Sequence, residues 1–213
     1  FNVDAQEKVL SIEDAETPNN ISSIFSNDAH FIFDKTNKGQ IDYSAFKNYS
    51  LIILNQLSEI SSGLSSSLKE YSENGGNIYI IPGVNASVSS YNSFLSNSNA
   101  GIYGEAQAKS GEVTKINLKE DVFKGVFNQL PKNVETPKIS KFYPILSNSN
   151  NNEREILSTN LGSPLVSKFD AGKGFIYLQA VPLNISFSDL QAKAIFAPMV
   201  YNCAVYKKNN QPL

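Results

Sequence analysis

Between Leu51 and Gly83 the chain reads LIILNQLSEISSGLSSSLKEYSENGGNIYIIPG, and this stretch limits the available folds more than any other. Two short apolar runs, Leu51–Leu54 and Ile78–Ile81, flank a serine-rich segment of helical period. Strands that are apolar on both faces are buried on both faces, and parallel neighbours need a crossover between them. The stretch therefore predicts a strand, a crossover helix and a parallel strand. Ile60, Leu64, Leu68 and Tyr71 recur every three or four residues and define the dry face of that helix, while Ser62, Ser66, Lys69 and Glu73 define the wet one. Gly75 stands where a helix ends in a left-handed residue. Pro82 cannot donate to a ladder, so the second strand opens there into a loop. Ligands of open α/β sheets gather outside the carboxyl ends of the strands, which directs attention to Asn55 and to Pro82–Ser87.

The rest of the chain supports an α/β class. Val9–Glu13 and Phe31–Phe33 read as strands around a short helix at Asn19–Asn27, and Gln40–Ser50 carries Ile41, Phe46 and Tyr49 into the strand at Leu51. This rhythm predicts a mainly parallel sheet with right-handed crossovers. A helix is expected over Ser87–Ser96. Glu105–Leu118 reads as a hairpin or extended arm around Ser110-Gly111, Val122–Leu130 as a short helix, and Val134–Leu146, broken by Pro137 and Pro144, as irregular or edge strand. A C-terminal meander of three strands follows, near Glu155–Leu161, Leu165–Phe169 and Phe175–Val181, and a last helix over Ser188–Lys207. No repeat or linker divides the chain, so residues 1–213 are expected to form one domain.

With 213 residues, 41% hydrophobic content, 18% charged residues and a net charge of −2, the chain can bury a core without staples and has no electrostatic footprint for nucleic acid. No apolar run reaches the ~18 residues a membrane helix needs. The chain starts at Phe1 without an initiator Met or an export signal, so it reads as a portion of a longer protein whose anchor lies elsewhere. The Ser/Asn-rich, charge-poor surface adds an expectation of an exported bacterial protein.

Several stretches imitate sites of known chemistry. Asp34–Ala45 imitates a calcium loop at Asp34, Gly39, Ile41 and Asp42, but Lys38 and Ala45 stand where ligands are required, so it reads as a turn before a helix. Ser66–Lys69, Ser90-Tyr91-Asn92 and Lys109-Ser110-Gly111 mimic, in order, the penicillin-recognising serine enzymes, over a span too short for that cleft. His30 is the single histidine and reads as a surface residue at a strand entry; Cys203 is the single cysteine and reads as a small buried hydrophobe. Together they give no zinc spacing and no nucleophile–base pair. No metal or cofactor is expected. Asn20, Asn48, Asn85 and Asn184 lie in N-x-S sequons.

Leu51–Gly83, together with GKGFIYLQAVPLNISFSDLQAKAIFAPMVYN (Gly172–Asn202), resembles the class I glutamine amidotransferase-like, flavodoxin-like three-layer sandwich. In particular it is similar to the exported amidotransferase-like domains of bacterial membrane proteins of the BatA, or aerotolerance-regulator, type. The resemblance covers less than half of the chain. In catalytic relatives the turn after the strand carries G-x-C-x-G; here it is Gly83-Val84-Asn85-Ala86-Ser87, with Asn85 at the nucleophile position. The later F-H-P-E strand end is matched by Ala180-Val181-Pro182-Leu183, with Val181 at the base position. The resemblance thus implies a scaffold without its thiolate–imidazole pair.

Three functions follow as expectations. The first is a non-catalytic interaction domain, periplasmic or otherwise extracytoplasmic and tethered by segments outside this chain, that meets a protein partner at or near the membrane. Its binding residues would be Asn55, Gly83, Asn85, Ser87, Tyr91 and Asn184, in the loops Asn55–Ser58, Val84–Ser90 and Asn184–Phe187. The second is a small-molecule or glycan binder using Asn85, Tyr91 and Tyr103. The third is a hydrolase or transferase with a rearranged site, Ser87 with Asp14 or Glu59.

Overall fold

The computed structural model describes residues 6–14, 21–26, 28–125, 135–148 and 150–207. Eleven strands lie among them: β1 Glu7–Glu13, β2 Phe31–Asn37, β3 Leu51–Leu57, β4 Asn77–Pro82, β5 Ile102–Tyr103, β6 Gln107–Ile116, β7 Lys138–Phe142, β8 Ile145–Leu146, β9 Arg154–Thr159, β10 Val166–Ala171 and β11 Gly174–Gln179. The α-helices are α1 Ile21–Phe25, α2 Ser62–Glu73, α3 Val88–Asn97 and α4 Phe196–Val205.

The stretch that opened the sequence reading folds as expected. β3 and β4 pair in parallel, Ile52 beside Ile78 and Leu54 beside Ile80, with α2 between them in sequence. The Ser61 hydroxyl accepts the Leu64 N–H at the start of α2. Leu64, Leu68 and Tyr71 are buried on its inner face, Ser62, Ser66, Lys69 and Glu73 are exposed on the other, and Gly75 ends it at φ 106°. In the imitation calcium loop Asp34 accepts from the Tyr49 hydroxyl at 2.9 Å, and Asp42 caps a 3₁₀ turn over Tyr43–Asn48 through the Ser44 N–H. Both carboxylates are therefore committed to local structure.

The mainly parallel, flavodoxin-like sandwich is not what forms. Nine strands make one mixed sheet in the order β2-β1-β3-β4-β11-β10-β9-β6-β7. Pairing is parallel from β2 as far as β11 and antiparallel from β11 to β7, with few helices beside it. The physical reason is β11. All six of its residues are buried, as two-sided cover demands, and it joins β4 in parallel, with Ile176 beside Ile78. The expected C-terminal meander is consequently an extension of the central sheet. The arm at Glu105–Leu118 is one long strand, β6, bulged between Ala108 and Gly111 where it pairs with β7, and β5 and β8 form a separate two-stranded pair.

The last helix is shorter than expected. A proline interrupts the hydrogen bond to the carbonyl four residues earlier, so Pro198 is tolerated only in a first turn. α4 accordingly begins at Phe196, and Leu190–Ala192 form a separate 3₁₀ turn. Of the expected helix at Val122–Leu130, Asp121–Phe123 form a 3₁₀ turn and residues 126–130 lie outside the described set, as do Asn19, Asn20 and Asn27 of the first helix. α2 packs on α3, α4 packs on α1, and both α2 and α4 rest on β4, whose six residues are all buried.

Candidate functional site at the strand ends

Where the parallel strands end, β1 delivers Glu13 and Asp14 next to the end of β3. Asn55 is fully buried; its Nδ2 donates to Glu13 Oε1 at 3.0 Å and to Ser11 Oγ at 3.4 Å, while Ser11 Oγ donates to the same carboxylate oxygen. Lys35 Nζ lies 2.6 Å from Glu13 Oε2. Asp14 accepts the Ser58 N–H at 2.8 Å and pairs with Lys38 at 3.1 Å, and Lys38 also donates to Ser58 Oγ. Burial pushes the Asp14 carboxyl up, but the Ser58 hydrogen bonds and the Lys38 ammonium outweigh it, so its pKa lies below the ordinary value.

At Gln56 β3 carries an irregularity in its pairing with β4, and φ there is 59°. This conformation turns the Gln56 side chain to the neighbouring loop, where Oε1 accepts the Leu183 N–H at 3.0 Å. Gly83 crosses close by. A Cβ on it would stand 2.8 Å from the Leu57 carbonyl oxygen and 3.1 Å from that of Gln56, so the crossing requires glycine. The next loop is stitched down by the Ser87 N–H to the Ser58 carbonyl at 2.7 Å. Tyr143 pins it a second time, donating to the Val84 carbonyl at 2.9 Å and accepting the Ala86 N–H at 3.2 Å. The Tyr143 ring also stacks on Phe187, 6.0 Å between centroids, which ties in the Asn184–Phe187 turn.

The predicted residues separate into two levels. Asn85, Ser87 and Asn184 lie on the rim, with Gly83 immediately beneath. Asn184 Oδ1 is taken by the N–H and hydroxyl of Ser186. Tyr91 is fully buried and donates to the Leu57 carbonyl at 2.7 Å, Tyr103 is buried and donates to the Gln179 carbonyl, and Asn55 is locked to Glu13. These three brace the scaffold from below, and burial drives both phenols up. The Ser87 hydroxyl meets the Ser89 hydroxyl at 3.3 Å and sits at the start of α3, while Asp14 is engaged with Ser58 and Lys38; the rearranged Ser87–Asp14 pair is not formed.

Asn85 is exposed and Val181 fully buried. His30 stands before β2, at the opposite end of the parallel strands, and Cys203 is buried in α4 with its thiol pushed up by burial. Sequence reasoning did not single out Gln56, Tyr143 or Ile185. Ile185 carried a usable signal, a large aliphatic residue between the polar Asn184 and Ser186, and it is 71% exposed. It also missed a cavity of about 590 Å³ at the other end of the strands, lined by Tyr43, Lys47, Glu70 and Lys173 among others. No group of three metal-ligating side chains occurs among the described residues, and no helix among them is long and apolar enough to cross a membrane.

No family model matches this chain, and no curated protein matches it. Solved structures do. A cytoplasmic protein from Salmonella typhimurium superposes with TM-score 0.69 at 13% identity, covering 93% of this chain and 98% of its own. A second cytoplasmic protein from Salmonella typhimurium LT2 gives 0.67 at 12% identity with the same coverages. A ThuA-like protein from Bacteroides uniformis gives 0.60 at 15% identity, covering 95% of this chain and 92% of its own. At such identities the likeness is one of fold. The ThuA-like neighbour bears out the amidotransferase-like resemblance in its coarse form; the BatA-type architecture receives no support. The expected extracytoplasmic location is corrected: two of these neighbours are titled cytoplasmic proteins, which points away from it.

Proposed function

We propose that the chain, acting as one domain over residues 1–213, is a non-catalytic binding module that engages a protein partner through the strand-end rim around Val84, Asn85, Asn184 and Ile185. The observation that carries this reading is the pair of exposed aliphatic side chains there, Ile185 at 71% and Val84 at 38% exposure, on two loops held by the same residue, Tyr143. Apolar anchors on a rigid, polar-rimmed surface are what interfaces use for their central contacts. The positions that matched a nucleophile and a base carry Asn85 and Val181, and neither side chain attacks a carbonyl or accepts a proton at neutral pH. Beneath the rim Ser11, Glu13 and the Asn55 Nδ2 are engaged with one another, and Asp14 with Ser58 and Lys38, which favours contact over turnover.

The test is affinity capture from an extract of the source cells with the native chain and with a Val84→Asp/Ile185→Asp variant of unchanged circular dichroism. A partner retained by the native chain and lost by the variant supports the reading. An identical set of captured proteins for both removes the rim from consideration.

A further inference from the structure

The cavity of about 590 Å³ lies at the amino-terminal end of the parallel strands, away from the rim, and its size is that of small-molecule sites. Its walls come from four separated parts of the chain: the turn Tyr43–Asn48 with the strand entry behind it, the last turns of α2 with the glycines after them, the tight turn before β11, and Lys207 after α4. Those walls are fixed before any ligand arrives. Asp42 caps the turn, Tyr49 is oriented by Asp34, and the Tyr71 hydroxyl donates to the Tyr49 carbonyl at 3.1 Å. Phe46 wedges edge-on between Tyr43 and Tyr71, with centroids 5.7 and 6.1 Å away. At the base, a Cβ on Gly76 would fall 2.1 Å from the Tyr71 ring, so the cavity floor depends on a missing side chain.

The chemistry of the lining is mixed in a specific way. Lys207 is neutralised by Glu7, at 3.1 and 3.2 Å from its two carboxylate oxygens. Lys47 and Lys173 have no ion-pair partner among the described residues, and Glu70 is the acid in the wall itself. Tyr43 is 40% exposed and offers an aromatic face, and Ser67 and Glu70 offer a hydroxyl and a carboxylate in the same lining, the Ser44 hydroxyl being spent on Asp42. Two lysines call for an anion. A negative aromatic face packs against the C–H side of a saturated ring, and the Glu70 carboxylate with the Ser67 hydroxyl matches a polyol.

We infer that this cavity is a binding site for an anionic sugar, a ring polyol bearing a phosphate or carboxylate. Lys47 and Lys173 hold the anion, Tyr43 stacks on the ring, and Glu70 accepts from its hydroxyls. The site is independent of the strand-end rim.

Isothermal titration of the intact chain with glucose 6-phosphate and with glucuronate tests it, with glucose and inorganic phosphate as controls. One saturable site is expected for at least one of the two anionic sugars, with each control weaker by about tenfold or more. Lys47→Met and Lys173→Met, both surface changes, each weaken that binding by about tenfold, the loss of one charge-assisted hydrogen bond. Tyr43→Ala weakens it as well, and the Val84→Asp/Ile185→Asp variant binds as the native chain does. The inference is overturned if neither sugar binds, if phosphate alone binds as tightly, or if the lysine variants leave the affinity unchanged.

Discussion

Asn77, the first residue of β4, is fully buried and joins three elements far apart in sequence. Its Nδ2 donates to the carbonyls of Cys203 and Tyr206 at the end of α4, both at 2.9 Å, and its Oδ1 accepts the Phe175 N–H of β11 at 3.1 Å. Asn77→Ala deletes all three bonds and returns nothing to the partners. A buried group that loses its partner costs about 1 kcal/mol or more, and the Tyr206 carbonyl, only partly buried, recovers some of that from water. The sum is ~2.5 kcal/mol, which for a chain of this size lowers Tm by about 5–10 °C. Urea unfolding followed by circular dichroism measures it: the midpoint falls while the slope m holds. Asn77→Asp separates hydrogen bonding from packing. A carboxylate keeps an acceptor for Phe175 but turns charge toward two carbonyl oxygens, so its folded-state pKa is raised. The stability it keeps is therefore present at acid pH, where the protonated group donates, and is lost as pH rises through that value. A loss under about 1 kcal/mol for the alanine variant, or an aspartate variant indifferent to pH, would refute the argument.

Asp14 titrates below its ordinary value in the folded chain, so its contribution is present above the unfolded pKa of about 3.9 and lost as pH falls through the folded one; Asp14→Asn should flatten that acid limb of the stability curve. A Cβ on Gly174 would stand 2.0 Å from the Gly76 carbonyl oxygen, so Gly174→Ala should cost about 3 kcal/mol or prevent folding, while Gly39→Ala, whose nearest neighbour is the Asn37 side chain at 3.6 Å, should leave Tm within a few degrees. Lys168 is 1% exposed, 3.6 Å from Glu120 and from Asp121, with its ammonium 3.9 Å from the Phe175 ring centroid. Lys168→Met keeps the volume and sheds the desolvation cost, so its stability should stay within about 1 kcal/mol of the native chain; Lys168→Ala leaves a cavity and should lose about 3 kcal/mol by the same urea assay.

What could be read in advance was local. The unit from β3 to β4 follows from short-range signals: two apolar runs, one helical period, one glycine after the helix and one proline after the strand. The pairing of β11 with β4 follows from none. Phe175–Gln179 is a buried run compatible with either direction, and its neighbour lies about a hundred residues away, so the sheet was expected to be more parallel than it is. Pro198 was a readable first-turn signal that the longer apolar period of the last helix outweighed. At the site, Gly83 was visible as the residue that closes the strand after Pro82, though not the close crossing that requires it, whereas Tyr91 and Asn55 looked like binding residues because a sequence does not say which polar atoms are consumed by the scaffold. The cavity was hidden for a related reason: Tyr43 and Lys47 precede β3, Glu70 belongs to α2 and Lys173 precedes β11, and only the sheet brings them together.

The two ends of the parallel strands show why the usual expectation for open α/β sheets points away from the cavity here. At the carboxyl ends the segments bond to each other: Ser87 to Ser58, Leu183 to Gln56, and Val84 and Ala86 to Tyr143. These bonds draw the segments together where a ligand of an open α/β sheet would otherwise sit. The surface there carries the exposed aliphatic residues Val84 and Ile185, suited to another surface. At the amino ends, the capped 3₁₀ turn and the end of α2 meet through the Tyr71 hydroxyl on the Tyr49 carbonyl and Phe46 against the Tyr71 ring, and Tyr43, Lys47, Glu70 and Lys173 stand around a hollow beside those contacts. The same fold thus offers contact area at one end and a half-open hollow at the other. Separate variants at Ile185 and Lys173 should accordingly affect capture of a protein and binding of an anionic sugar independently, with additive effects in the double variant.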